Sequence, residues 1–106
     1  MSADRKGKAY TGIRDAMLLD LEKRGLTSKE YTDKVDEYMD FWLRRRALRD
    51  DVETRGLTVM DDRGRVSENR SVSLEVQVSR QMLAIFNALG FKPDEIKAPP
   101  DESDDL

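Results

Sequence analysis

Apolar residues along the chain fall into three helical runs separated by two kinds of interruption. In the first run Ile13, Met17, Leu18 and Leu21 recur at spacings of three and four, which gathers them on one helix face. Thr11 offers a hydroxyl to cap the start of this helix. Lys23 and Arg24 suit the negative end of its dipole, and Gly25 supplies the left-handed residue that stops it. The second run opens at Thr27-Ser28-Lys29-Glu30, which has the residue types of a capping box. No glycine or proline follows until Gly56, so the spacing predicts one helix from Ser28 to Arg55, roughly 42 Å long at 1.5 Å per residue. Two apolar rows run along it. Tyr31, Val35, Met39 and Trp42 form one, and Tyr38, Phe41, Leu48 and Val52 form the other, with Arg45 in the gap. Two rows make a wide apolar face in the first half, suited to two packing partners.

Beyond Gly56 the pattern changes period. Leu57-Thr58-Val59-Met60 is apolar and β-branched, Asp61-Asp62-Arg63-Gly64 has turn chemistry, and Arg65-Val66-Ser67 returns, which predicts a β-hairpin. Two isolated strands are marginal, so this hairpin is expected to pack on helices or to extend a neighbour's sheet. Val72, Leu74, Val76 and Val78 alternate with polar residues and taken alone read as a strand. A helical row of Leu74, Val78, Met82, Ile85 and Leu89 passes through the same stretch and ends at Gly90. One helix from about Ser71 to Leu89, capped by Asn69 or Ser71, accounts for both. The fold class expected is therefore mainly α: a short N-terminal helix, a long central helix, a small β-hairpin and a C-terminal helix. Residues 10–91 form one helical domain, between a flexible basic arm at 1–9 and a disordered acidic tail at 92–106.

Composition changes this picture in two ways. Hydrophobic residues are 38% of the 106 and charged residues 39%, against a usual charged share of about a quarter. One modest core is feasible, but helices with so little apolar surface gain from stacking on other subunits, and an oligomer is expected. The net charge of −3 is also uneven. From Lys92 to Leu106 two lysines stand against six acids, a local −4, which leaves the preceding residues at +1.

Cysteine and histidine are both absent. That excludes disulfides, zinc fingers, thiol nucleophiles and any imidazole base. Asp33, Asp36, Glu37 and Asp40 lie along a helix without a loop motif and read as a solvated face, and Gly7 and Gly12 lack the context of a phosphate loop. The residues predict no enzyme, no metal and no cofactor. Met1 to Gly12 carries no apolar leader stretch and no run approaches the roughly 18 apolar residues that span a bilayer, so a soluble intracellular protein is expected.

Three basic groups remain as candidates for phosphate contact: Arg5, Lys6 and Lys8 in the arm; Arg44, Arg45, Arg46 and Arg49 on the long helix; and Arg63 and Arg65 at the hairpin turn, with Arg70 after it. For each, a solvated or ion-paired surface is the alternative, and Asp50, Asp51 and Glu53 dilute the helical group. Tyr31, Val35, Tyr38, Met39, Phe41 and Trp42 are the candidates for an oligomer interface. In the tail, Ile96 and Leu106, with Asp101, Glu102, Asp104 and Asp105, could dock on a basic partner.

The order of parts from Tyr10 to Phe91 resembles the phage terminase small-subunit family of cos-type packaging systems. The resemblance is carried by Arg24-Gly25-Leu26-Thr27 before the long helix, the aromatic and arginine-rich helix itself, and Arg55-Gly56-Leu57-Thr58-Val59 leading into a glycine-containing hairpin. It closes on Asn69 and on Leu89-Gly90-Phe91. Relatives commonly have proline after the asparagine, where this chain has Arg70. The resemblance implies a non-catalytic, ring-forming subunit in the host cytoplasm. Such a subunit binds viral double-stranded DNA and delivers it to the large terminase subunit, which holds the ATPase and nuclease. A helical protein–protein adaptor acting through its acidic tail, without direct DNA contact, is the alternative.

Overall fold

The computed structural model describes residues 7–93 and Ile96. Helix α1 spans Lys8–Lys23, α2 spans Lys29–Arg55, strands β1 and β2 span Thr58–Met60 and Val66–Glu68, and α3 spans Arg70–Ala88. The mainly helical architecture with one small hairpin is the one the sequence predicts. The arm's first six residues, residues 94–95 and residues 97–106 lie outside the described part.

Helix α1 begins three residues before the expected cap. Gly7 is its N-cap and Thr11 lies inside the helix, its amide donating to the Gly7 carbonyl at 3.1 Å. Lys8 and Ala9 therefore belong to the helix and not to the arm. The long helix starts with a similar shift of register. Ser28 is the N-cap and its hydroxyl makes no capping bond, so Glu30 falls one position short of the reciprocal place and the predicted capping box does not form.

The core joins all three helices. Ile13, Met17 and Leu21 of α1 meet Val35, Met39 and Trp42 of α2 and Met82, Ile85 and Leu89 of α3, with Phe91 closing the end. Helix α2 packs mainly on α3 and less extensively on α1. The row expected through Leu74 and Val78 is only half-buried, so the tight core occupies one half of the α2–α3 pair.

Two helix ends are built alike and tied together. At the end of α1 the Leu26 amide donates to the Leu21 carbonyl at 2.8 Å and Gly25 to Glu22 at 3.0 Å. At the end of α3, Phe91 donates to Phe86 at 3.2 Å and Gly90 to Asn87 at 3.0 Å. This is the paired pattern of a Schellman ending, and the Phe86 and Phe91 rings supply its apolar contact at 5.4 Å. Arg24 links the two ends: its guanidinium donates to the Leu89 carbonyl at 2.8 Å and lies over the Phe91 ring. Gly90 is required there twice over, by a φ of +74° and because an added Cβ would stand 2.9 Å from the Arg24 side chain.

The hairpin pairs Thr58 with Glu68, Val59 with Ser67 and Met60 with Val66. Asp61 orders its turn, one carboxylate oxygen accepting from the Arg63 and Arg65 amides at 2.9 Å each. These bonds hold the Asp61 carboxyl below its ordinary range, the Arg65 amide most of all. The expectation that the hairpin packs on the helices is not met. Leu57, Met60 and Val66 are 66%, 68% and 63% exposed, and the hairpin is held at its root, where the Asn69 amide donates to the Leu57 carbonyl at 2.7 Å.

Asn69 is fully buried at the point where α2, the hairpin and α3 meet. Its side-chain oxygen accepts from the Ser71 amide at 2.9 Å and caps α3, while its NH2 donates to the Gly56 carbonyl at 2.9 Å and to Asp51 at 3.1 Å. Asp51 also accepts from the Ser71 hydroxyl at 2.7 Å and from Arg55 at 2.7 and 2.8 Å. Hydrogen bonds from Arg55 first, and from Ser71 and Asn69 besides, hold the Asp51 carboxyl well below its ordinary value of 3.8, against the partial burial that opposes them.

Replacing Asn69 with Ala removes a cap and leaves buried partners unbonded, a loss of about 2–3 kcal/mol in urea unfolding. The Asp51 network also predicts a pH signature. A depressed carboxyl contributes stability above its unfolded value and loses it as pH falls. The melting-temperature gap between wild type and Asp51→Asn should stay constant from about pH 7 to 5 and shrink below about pH 4. An unchanged gap at about pH 3 would assign the stabilisation to something other than this carboxylate.

Candidate nucleic-acid interface

The long helix presents its arginines in different directions, and the fold uses them differently. Arg45 and Arg49 turn towards α3. Both Nε and NH2 of Arg49 donate to Glu75 at 3.3 Å, and the Arg45 Nε lies 3.8 Å from the same carboxylate oxygen, buried and without a hydrogen bond. These two arginines are only 30% and 29% exposed, so they serve the α2–α3 contact before any external partner. The field of Arg45 reaches Tyr38, whose hydroxyl is nevertheless pushed above its ordinary pKa because desolvation outweighs it.

Arg44 and Arg46 lie over aromatic rings, roughly 200° apart around α2. Arg44 is 5.4 Å from the Phe41 ring centre and Arg46 is 4.8 Å from that of Trp42, geometry that holds a flexible guanidinium in place. Tyr10 meets the same Trp42 edge-on at 5.9 Å. Trp42 therefore joins the first turn of α1, where Lys8 is exposed, to the arginine run of α2. Of the arm residues, Lys8 shares the first turn of α1 with Tyr10, which meets Trp42, while Arg5 and Lys6 lie outside the described residues. Arg63 and Arg65 sit on the hairpin beyond the far end of α2, apart from this group, and Arg65 pairs with Asp61 at 3.3 Å.

The expected interface residues divide as sharply. Val35 and Met39 are fully buried and Trp42 is 8% exposed, so these three pack in the chain's own core. Tyr31, Tyr38 and Phe41 are half-buried. Of the tail candidates, Ile96 is partly buried against the core. Asp101, Glu102, Asp104, Asp105 and Leu106 lie outside the described residues. Among those residues no group of three or more acids is arranged to hold a metal ion, and no helix is long and apolar enough to cross a membrane.

What sequence spacing missed is Glu75. The signal was there: Glu75 is the single acid within the run from Arg70 to Ala88, opposite a helix with more arginines than nearby partners.

A family model described as "Phage terminase, small subunit" matches residues 13–103. The chain belongs to this family. It thereby has a role in phage DNA packaging. Comparisons with curated proteins and with solved structures give no match.

Glu75→Ala leaves Arg45 and Arg49 half-buried with no counter-charge, and the expected cost is about 1 kcal/mol after allowing for solvent screening. Urea titration measures it. Restoring stability by adding Arg49→Leu to the same variant would show that the isolated arginine caused the loss.

Proposed function

We propose that this chain binds viral DNA as a non-catalytic, self-assembling subunit in the host cytoplasm and passes it to the large subunit of the packaging terminase, which carries the ATPase and nuclease. Family membership supports the setting. The observation that carries the DNA reading is the meeting at Trp42, where the first turn of α1 and the arginine run of α2 converge through Tyr10 and Arg46. The ring-supported Arg46 and the exposed Lys8 of α1, joined through Tyr10 and Trp42, offer positive charge to a phosphate backbone. Contacts of that kind give affinity and register without reading bases. Arg46 and Lys8 form this group, and Arg44, on another side of α2, with Arg5 and Lys6 of the arm are further candidates for phosphate contact. Arg45 and Arg49 support it from behind by holding α2 against α3.

Binding to duplex DNA measured against salt tests the assignment. Replacing Arg44 and Arg46 with Ala should weaken binding and flatten the log-log salt slope by roughly 0.9 for each phosphate no longer neutralised. Replacing Arg49 should lower stability and leave the slope unchanged. The opposite pattern would move the interface to the α2–α3 side.

A further inference from the structure

Helix α3 carries more apolar surface than the core uses. Leu74, Val78, Met82, Ile85 and Leu89 point inward to differing depths, yet Val72, Val76, Ser79 and Leu83 form a second row at spacings of four, three and four. Residues two apart on a helix are separated by roughly 200°, so the alternation of Val72, Leu74, Val76 and Val78 places apolar side chains on opposite faces. Val78 reaches the core, while Val76 is 48% and Leu83 59% exposed. Arg80 stands one turn before Leu83 on the same side and holds no ion pair among the described residues.

Helix α1 has a surface of the complementary kind. Leu18, Leu19 and Leu26 line an open groove with Asp15 and Glu22 on its rim. Leu19 is 51% exposed, and neither acid has a salt bridge among the described residues. One face thus offers an exposed leucine with an arginine beside it, and the other offers an apolar groove edged by carboxylates.

We infer that the outer row of α3, centred on Leu83 and Arg80, docks into the α1 groove around Leu19 of a second copy of this chain. The inference rests on the self-assembly part of the proposed function and specifies its contact surface. Charge complementarity selects the occupant: Arg80 enters between Asp15 and Glu22, while pairing two α3 rows would leave all three charges without partners. Because the two surfaces differ and lie on different helices, the contact is head-to-tail, and a pair of copies keeps one free donor face and one free acceptor face. Repetition of the contact extends the assembly until it closes.

Mass measurement in solution on mixed variants tests this directly. Leu83→Glu keeps an intact α1 groove, and Leu19→Glu keeps an intact α3 row. Wild type should assemble beyond a dimer at tens of micromolar, and each variant alone should be monomeric. An equimolar mixture should form a 1:1 dimer and stop there, because one productive pairing remains. Unchanged assembly of Leu19→Glu would overturn the inference in favour of α3 pairing with itself, and unchanged assembly of Leu83→Glu would assign the interface to another face such as the exposed hairpin. Monomers in the mixture would overturn the head-to-tail pairing, as would a monomeric wild type. Should either leucine variant lose its helical circular dichroism, Arg80→Glu substitutes for it: alone it should weaken assembly at least tenfold, and Asp15→Arg with Glu22→Arg should restore it. Failure of that restoration would also overturn the inference. The salt dependence of DNA binding is measured separately, so a negative result on assembly leaves the DNA reading standing or falling on its own result.

Discussion

Asn69 has no side-chain surface left to solvent, and its polar atoms are committed to three different elements. It starts α3 by capping the Ser71 amide, fixes the exit of α2 through the Gly56 carbonyl, and anchors the hairpin root through its own amide. A buried amide is costly unless all its bonds are made, so this residue tolerates very few arrangements of its neighbours. Asp51 supplies the compensating acceptor, and Arg55 neutralises it. The angle between α2 and α3, and with it the position of every core residue on α3, follows from this joint. Arg70 is exposed in the first turn of α3 and takes no part in this joint.

From that joint the α2–α3 pair divides into a polar half and an apolar half. Near Asn69 the two helices meet through Arg45, Arg49 and Glu75, together with half-buried Leu48, Val52 and Leu74. Farther along, Met39, Trp42, Met82, Ile85 and Leu89 close the hydrophobic core with α1. The apolar half provides most of the burial energy, since methionine, isoleucine and leucine each gain about 1.5–3 kcal/mol on full burial. The polar half adds direction, because Glu75 faces arginines placed one turn apart and resists sliding of one helix along the other. Trp42 lies at the boundary between these halves, which is why a core residue also gathers Tyr10 and Arg46.

Much of this order was legible in the sequence. The lengths of α2 and α3, the hairpin and its turn, the cap at Asn69 and the stops at Gly25 and Gly90 all follow from local chemistry that a single chain displays. Helix starts were less legible, because Gly7 and Ser28 serve as N-caps without any side-chain bond, and a hydroxyl nearby, as in Thr11 or Thr27, gives a stronger but misleading signal. The expected roles of the arginines were hardest to read. Four arginines within six residues look alike in sequence, yet rotation about the helix gives two of them to Glu75 and two to aromatic rings. Only the tertiary partner, 26 residues beyond Arg49, separates them. The same holds for the apolar rows of α2: periodicity shows that two faces need covering, and it does not show that this chain's own α1 and α3 cover the first.

The stretch from Val72 to Val78 explains why the ambiguity between strand and helix arose at all. Period-two alternation on a strand marks one buried face, but the same letters on a helix mark two faces roughly 200° apart. A helix that needed only to pack on α2 would have no need of valine at 72 and 76. Helix α3 keeps valine at both, and leucine at 83, in a chain where apolar residues are scarce. Scarcity makes that placement informative. An exposed apolar row costs solubility and contributes nothing to the isolated fold. With Arg80, which has no ion-pair partner among the described residues, it makes the surface that the proposed contact with an acidic-rimmed groove would cover.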